Sequence, residues 1–439
     1  MKKREIVRLF VLCSFCVTTA LLVGCNKKGE EATTQESDTI TLSAYHYLDQ
    51  TDKTTAPNFQ ALVEAFNKEY PNIKINFEFG YGEAYHTKLQ TLAASGQLPD
   101  MMVVYPGKRT AYITSEGHVQ DLRPWFSGHE SEFASIALKP QGPNGEMWEI
   151  PEDISVTSIM YTNNKLLKEL GLAFPKTLDE LIAQGETIRK AGLIPISMAN
   201  KDAWPMQSCL ASMLAERTGG MEWFDKAVKG DGAGFDDDVF VHALEIINLL
   251  HEKEMFSPGI NQLAYMQGLD DFVNERAVYF IDGGWMVNNM VGELSDEQKE
   301  YMSLESFPDI PNQKGESGSA SGVAGTGFGM NSDLSGEKAE AAWKWIWFYS
   351  GPEGSAIRQR FGRLPAYTLK APDDVDPMIK KLINYVGSIP MGYVLDSVVG
   401  AEGIGIFNND LQEMMFGLTT PKDVASKLEE WVKENDRSN

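Results

Sequence analysis

The sequence predicts an α/β fold built on parallel sheets, because strand patterns alternate with amphipathic helix patterns from residue 39 onward. The first strand pattern spans 39–47, where Ile40, Leu42 and Ala44 alternate with polar residues. A helix pattern follows at 58–71, with apolar residues three and four positions apart and a proline at its end. A chain of 439 residues has the length for about two domains, each with its own core.

The alternation continues along the chain. Residues 72–79 show a second strand pattern, residues 84–96 a second helix pattern, and residues 100–105 a short apolar run typical of a buried strand. Further on, Thr177 opens a capping box that ends at Glu180, which predicts the start of another helix. Near the end of the chain, the segment 420–423 combines a threonine cap with a proline at the first helical position and predicts a last helix.

The first residues have the pattern of a secretory signal peptide, with three basic residues at 2–4 ahead of an apolar run over 6–23. An uncleaved membrane anchor is the alternative, since the run is about long enough to span a bilayer. Leu22–Cys25 resembles the lipobox of bacterial lipoproteins, and this resemblance implies cleavage after residue 24 and acylation of Cys25. The polar residues over 25–38 then form a flexible tether.

The cysteines and the charge fit an exported protein that is stabilised by packing. Cys13 and Cys16 leave with the signal peptide and Cys25 is acylated, so Cys209 has no partner for an intramolecular disulfide. The formal net charge of −23 becomes more negative once the basic signal peptide is removed. Such acidity argues against nucleic acid as a partner and disfavours a polyanionic ligand.

Common catalytic templates fail in this sequence. Gly107–Lys108 is not part of a P-loop, and the histidines form no H-E-x-x-H motif. The glycine-rich segment 312–329 lacks dinucleotide-binding spacing, and we interpret it as a surface loop that passes into a strand. Glu152 and Asp153 are neighbours that point to opposite faces of an extended chain, which makes a poor acid and base pair. We therefore predict no catalytic residue, no metal and no cofactor.

Aromatic residues stand beside polar ones near the predicted strand ends. The triplet Tyr45–Tyr47 ends the first strand, Tyr81 follows the second, Tyr105 ends the third, and Trp204 and Trp285 follow later strands. Ligands of parallel α/β sheets bind at the carboxyl ends of the strands. Flat rings pack against the C–H faces of sugars while polar groups pair with hydroxyls, so this pattern indicates a sugar site. By contrast, we expect the tryptophans at 343, 345 and 347 to lie in a core.

Five blocks, in order, carry a resemblance that covers nearly the whole chain after the tether. They are residues 98–104, 148–204, 272–286, 327–366 and 411–431. In these blocks the chain resembles the extracellular solute-binding lipoproteins of bacterial ABC importers, in the sugar-binding group that includes maltose-binding protein. Val104 stands where maltose binders have a tryptophan, which argues against maltose.

The resemblance implies two α/β lobes joined by a hinge, with a sugar in the cleft between them. It implies one lobe from 39–150 and 318–366 and the other from 151–317 and 367–439, and closure of the lobes over the ligand. The expected partners are a sugar or oligosaccharide, the permease subunits of an ABC transporter, and the outer face of the cell membrane through Cys25; a monomer is expected. The expected ligand-binding residues are Tyr45, His46, Tyr81, Tyr105, Lys108, Asp153, Ser155, Trp204, Asp282, Trp285 and Arg363.

Two alternatives remain open from the residues alone. One is a lipid-anchored surface glycosidase, which the lack of a convincing carboxylate pair disfavours. The other is a scaffold or sensory partner without a ligand. Ligand-dependent thermal stabilisation would separate that alternative from a binding protein.

Overall fold

The computed structural model describes residues 39–53, 55–105, 107–138, 141–142, 144–369 and 374–437. The predicted signal peptide, Cys25 and the predicted tether lie outside these residues. The strands are β1 (Ile40–Tyr47), β2 (Ile73–Gly80), β3 (Met101–Val104), β4 (Ile154–Val156), β5 (Ile159–Asn163), β6 (Ile194–Ser197), β7 (Ala277–Asp282), β8 (Met302–Glu305), β9 (Ala320–Ala324), β10 (Gly327–Met330) and β11 (Met391–Gly392).

The helices connect these strands and flank the sheets. They are α1 (Thr55–Glu69), α2 (Glu83–Ala94), α3 (Ala111–Thr114), α4 (Arg123–Phe126), α5 (Asn164–Glu169), α6 (Leu178–Lys190), α7 (Trp204–Met206), α8 (Ser212–Lys229), α9 (Asp238–Glu252), α10 (Tyr265–Val273), α11 (Met286–Glu293), α12 (Asp296–Tyr301), α13 (Gly336–Ser350), α14 (Pro352–Arg360), α15 (Pro377–Val386), α16 (Leu395–Val398), α17 (Ala401–Met415) and α18 (Pro421–Asn435). The predicted threonine caps are confirmed: the Thr177 hydroxyl accepts from the backbone N–H of Glu180, and the Thr420 hydroxyl accepts from that of Asp423. The reciprocal half of the predicted capping box does not form, because Glu180 Oε2 accepts from the backbone N–H of Lys176 at 2.7 Å.

The first sheet has the strand order β10-β3-β1-β2. Strand β1 runs parallel to β2 and β3, as the alternation of strands and helices predicts. Strand β10, from the glycine-rich segment, adds to β3 in the antiparallel direction. The interpretation of that segment as a loop passing into a strand is therefore confirmed.

The second large sheet has the order β6-β7-β5-β8. Strands β6 and β7 are parallel, whereas β5 runs antiparallel to both β7 and β8. The expectation of parallel sheets is thus wrong for the pairs β5–β7, β5–β8 and β3–β10. These pairings join segments that are far apart in sequence, and the local alternation of patterns carries no information about their direction.

A small third sheet, β11-β9-β4, lies at the chain crossings between the two large ones. Each large sheet has its own packed interior, which gives the two-lobed α/β fold. Trp345 is fully buried in the interior beside the first sheet, while Trp343 and Trp347 are half-buried and stack on each other at 6.0 Å. In the described part of the chain, no helix combines the length and the apolar character needed to cross a bilayer.

Candidate ligand-binding site

Three tyrosines meet where the parallel strands of the first sheet end. In the β1–β2 register Tyr47 lies opposite Gly80, which brings it beside Tyr81, and Tyr105 directly follows β3. The ring centroid of Tyr47 lies 5.1 Å from that of Tyr81 and 5.3 Å from that of Tyr105. Tyr81 is 47% exposed. We call Tyr47, Tyr81 and Tyr105 the tyrosine cluster, an aromatic surface at the strand ends.

Tyr45 and His46 point into the lobe rather than to its surface. Tyr45 is buried and stacks on Tyr85, with ring centroids 4.6 Å apart. His46 is buried edge-on between the rings of Phe59 and Phe328. Burial lowers the pKa of His46 to about 4, so the imidazole is neutral at pH 7. Because neither side chain reaches the strand-end surface, the proposed site below omits both.

The segment after β3 carries two basic residues with fixed partners. Arg109 Nη2 donates to Glu83 Oε1 at 2.8 Å and Nε donates to His86 Nε2 at 3.0 Å. The Arg109 guanidinium also lies over the Tyr105 ring, 5.5 Å from its centroid. Burial and the nearby Arg109 lower the pKa of His86 to about 3, which keeps this imidazole neutral and able to accept. The Arg109 guanidinium therefore packs against the Tyr105 ring and stabilises its position.

The same segment contacts the C-terminal part of the chain. Arg109 Nη1 lies 3.7 Å from Asp396 Oδ2, and Lys108 Nζ lies 3.4 Å from Asp436 Oδ2. A Cβ atom on Gly107, whose φ is +74°, would lie only 1.8 Å from the backbone oxygen of Ser397. We call these contacts the latch. Position 107 requires glycine, because any side chain there would collide with the backbone of Ser397.

A second aromatic group forms beside the end of β7. The Trp204 ring centroid lies 4.9 Å from that of Tyr265 and 5.9 Å from that of Trp285, and all three side chains are half-buried. We call these residues the tryptophan cluster. The Trp285 indole folds back over Gly283, where an added Cβ would lie 2.3 Å from the ring. Gly283, two residues before Trp285, thus leaves the space that the ring occupies.

Asp282, predicted as a ligand contact, lies beneath the tryptophan cluster and is 3% exposed. Its Oδ1 accepts from the Tyr265 hydroxyl at 2.9 Å and from the Gly283 N–H at 2.7 Å. Burial raises the pKa of Asp282 to about 7. Tyr265, which the sequence analysis missed, therefore lies between Asp282 and the surface; it opens a helix, and no strand-end pattern marks it.

Segments beside the two aromatic clusters contact the same helix. The turn Gly107–Thr110, which comes shortly after Tyr105, contacts α17, and so does α7, which begins at Trp204. Helix α17 therefore lies against chain segments next to both clusters.

Asp153, Ser155 and Arg363 lie at the chain crossings instead. Asp153 is buried and accepts from Arg363 Nε at 2.9 Å. Ser155 lies in β4, opposite Val323 of β9, and is half-buried. The ion pair satisfies Asp153 and Arg363 within the protein, so we assign them to the hinge and leave them out of the proposed site.

Glu152, the other carboxylate of a potential acid and base pair, is also held by arginine. Burial alone would raise the pKa of Glu152, but Arg358 and Arg363 outweigh it and hold the pKa at about 2. A carboxylate in that state is a poor general acid at neutral pH. Among the described residues, no group of three or more His, Cys, Asp or Glu side chains is arranged to hold a metal ion.

A groove of about 830 Å³ lies elsewhere, along the outer edge of β8 and against α15. Lys381 in its wall donates to the backbone oxygens of Lys299 and Met302, so its ammonium group is already satisfied. The groove borders neither aromatic cluster. The strand-end region remains the better candidate for the ligand, since it combines ring surfaces with polar groups.

One class of solute-binding proteins is defined by three features. These are two lobes that are each built on a sheet, chain crossings between the lobes, and aromatic surfaces at the strand ends. The sequence pattern of one such family, the bacterial extracellular solute-binding proteins, matches residues 52–356. That is more than half of the chain, and the protein therefore belongs to this family.

Relatives agree with this assignment. An uncharacterized ABC transporter extracellular-binding protein of Pyrococcus horikoshii is 22% identical, over 98% of this chain and 96% of its own length. The multiple sugar-binding protein of Streptococcus mutans is 23% identical, over 61% of this chain and 62% of its own. Among solved structures, a chitin oligosaccharide binding protein has a TM-score of 0.80 at 20% identity, covering 91% of this chain and 100% of its own. A raffinose complex of the protein RafE has a TM-score of 0.72 at 17% identity, covering 90% of this chain and 99% of its own.

Proposed function

We propose that the protein is an extracellular lipoprotein that captures a neutral sugar or oligosaccharide and delivers it to the permease of an ABC transporter. The observation that carries the proposal is the pair of aromatic clusters beside strands of the two large sheets. Partly exposed aromatic rings of this kind suit the C–H faces of sugar units. The names of the Streptococcus mutans relative and of the chitin oligosaccharide and raffinose binders support a sugar as the ligand.

The proposed site comprises the two clusters, with Lys108 at its edge. We further propose the lobe boundaries of 39–150 with 318–366, and 151–317 with 367–439. Support comes from β10, which pairs with β3, and from the shared core of the first sheet and α13. The lobes close over the ligand through the crossings at β4 and β9, and the latch joins them in the closed state. Acylation of Cys25 anchors the protein outside the cell.

A thermal-shift screen tests the ligand class. The panel contains raffinose, chitin oligosaccharides, xylo-oligosaccharides and maltose, with amino acids and a dipeptide mixture as controls. A ligand at a hundred times its Kd stabilises the native state by about 2.7 kcal/mol, a clear rise in Tm. We expect one group of sugars to raise Tm and the controls to leave it unchanged. Stabilisation by the amino acids or dipeptides alone would contradict the proposal.

The same sugars test the alternative of a glycosidase. Overnight incubation of each stabilising oligosaccharide with the protein, followed by chromatography, should return the intact sugar. Shorter products that a Glu152→Gln variant does not generate would favour hydrolysis.

A further inference from the structure

A chain of hydrogen bonds runs from the interior of the second lobe to its aromatic surface. Trp285 Nε1 donates to the Tyr265 hydroxyl at 2.5 Å, and the Tyr265 hydroxyl donates to Asp282 Oδ1 at 2.9 Å. The directions follow from the chemistry of the groups. An indole N–H can only donate, so the tyrosine oxygen accepts from it and its single proton is directed to the carboxylate.

We infer that Asp282 is a positioning residue that sets the pose of Trp285 through Tyr265, and that it thereby makes ligand binding depend on pH. The part of this inference that concerns ligand binding rests on the proposed function. The part that concerns the pose of Trp285 stands on the hydrogen bonds alone.

The sign of the effect follows from the hydrogen bonds. An ionised Asp282 can only accept hydrogen bonds, so the Tyr265 hydroxyl directs its proton to this carboxylate. The lone pairs of the tyrosine oxygen are then free to accept from the Trp285 indole N–H. A protonated Asp282 can donate, which lets the Tyr265 hydroxyl turn and loosens its bond to the indole. The chain of hydrogen bonds is therefore ordered at high pH, and ligand binding should be tighter at high pH.

The surroundings of Asp282 allow this titration near neutral pH. The titratable groups around it are Cys209, whose Sγ lies 3.8 Å from Oδ1, Tyr265, and Tyr161, whose hydroxyl donates to the Gly283 oxygen at 2.8 Å. Burial raises the pKa of each of these three groups, so they stay neutral while Asp282 titrates. In the part of the chain that the structure describes, no lysine or arginine forms an ion pair with Asp282.

The first arm of the test needs no ligand. The full chain, labelled with 5-fluorotryptophan, contains nine tryptophans, and a Trp285→Phe variant identifies the ¹⁹F resonance of Trp285. We expect this resonance to shift between pH 5 and pH 9 with a midpoint near 7. Asp282→Asn and Tyr265→Phe should each abolish the shift. Asp270→Asn, an exposed carboxylate on the same helix as Tyr265, should preserve it and serves as the matched control.

The second arm measures the Kd of raffinose, or of another sugar that stabilises the protein in the screen, at pH 6 and pH 8. Affinity should be about three- to tenfold higher at pH 8, as expected when one hydrogen bond gains a charged acceptor. Asp282→Asn should bind equally at both values.

Each result is decisive. A Trp285 resonance that is static, or that titrates equally in Asp282→Asn, overturns the positioning role. A titrating resonance with pH-independent affinity overturns the link to binding. A titrating resonance in a protein that no sugar stabilises supports the positioning role and counts against the proposed function instead.

Discussion

Arg358 Nε donates to Glu152 Oε2 at 3.0 Å, and the arginine side chain is fully buried. The Tyr349 hydroxyl donates to the same carboxylate oxygen at 2.7 Å, and Thr326 Oγ1 donates to Oε1 at 3.0 Å. Glu152 belongs to one chain crossing and Arg358 to the helix just before another. The pair therefore joins α14 to the chain segment that leads from the first sheet to β4.

Replacing Arg358 with methionine should remove the nearer of the two arginines that compensate the buried Glu152 carboxylate, leaving Arg363 at 3.9 Å. We expect a loss of about 3 to 5 kcal/mol in the free energy of unfolding, measured by urea denaturation. The double variant Glu152→Gln/Arg358→Met should recover part of this loss, since residue 152 then carries no buried charge. Lys226→Met is the control: its pair with Glu222 is exposed and should contribute less than about 1 kcal/mol. If Arg358→Met and Lys226→Met lowered the free energy of unfolding equally, burial would not be what makes the Arg358–Glu152 pair important.

His46 should make stability fall as the pH drops. Its folded pKa of about 4 lies below the unfolded value of 6.5, so the unfolded state binds more protons between these values. The contribution of His46 to the free energy of unfolding is intact above pH 6.5 and is lost progressively toward pH 4. Relative to a His46→Gln variant, the wild type should therefore lose about 1.4 kcal/mol between pH 7.5 and pH 5.5, measured by urea denaturation at each pH.

The difference between the variants isolates His46 from the other groups that titrate in this range. A wild type and a His46→Gln variant that lose stability in parallel would show that His46 has the same pKa in the folded and unfolded states.

Trp285 and Trp345 should separate ligand contact from core packing. Trp285→Ala should weaken sugar binding by about 2 to 4 kcal/mol, or roughly thirty- to several-hundred-fold in Kd by calorimetry. Trp345→Ala should instead cost about 3 to 5 kcal/mol of stability, because that side chain is fully buried. Unchanged affinity together with a collapsed melting temperature in Trp285→Ala would place that ring in the core.

The latch should favour the closed arrangement of the lobes. A double variant Asp396→Asn/Asp436→Asn should weaken sugar binding about two- to fivefold, because partly exposed ion pairs contribute roughly 0.5 to 1 kcal/mol. In solution scattering, sugar should reduce the radius of gyration of the wild type without changing its mass, and less so for the variant at equal sugar concentration. Glu222→Gln, which removes an exposed carboxylate that is not part of the latch, is the control. A double variant that closes as readily as wild type would remove the latch from the mechanism.

Cys25 should be needed for membrane attachment. Cys25→Ser should release the protein into the medium or leave an uncut precursor, since acylation at this position is the proposed anchor. Fractionation and immunoblotting distinguish these states from the wild type. Variant protein that stays on membranes at its mature size would contradict the lipobox interpretation.

Local patterns predicted the helices and strands of the first sheet because periodicity and caps act over a few residues. They also placed Tyr81, Tyr105 and Trp285 shortly after strands, where the structure has them, whereas Trp204 lies seven residues beyond the end of β6 and begins α7. Strand direction at β5 and β10 could not be predicted in this way. The latch carboxylates were missed for the same reason: their partners are brought close by tertiary folding, and nothing in their own neighbourhood marks them.

The pairing of Val104 with Gly327 has a consequence for the order in which the protein folds. The first sheet cannot gain its last strand until most of the chain has left the ribosome. Until then the apolar edge of Met101–Val104 has no neighbour, and an unpaired edge of that kind is open to pairing with other chains. Contacts so distant in sequence also slow folding. The N-terminal part of this protein should therefore stay unfolded during synthesis, which is the state that a chain needs if it is to be threaded across a membrane.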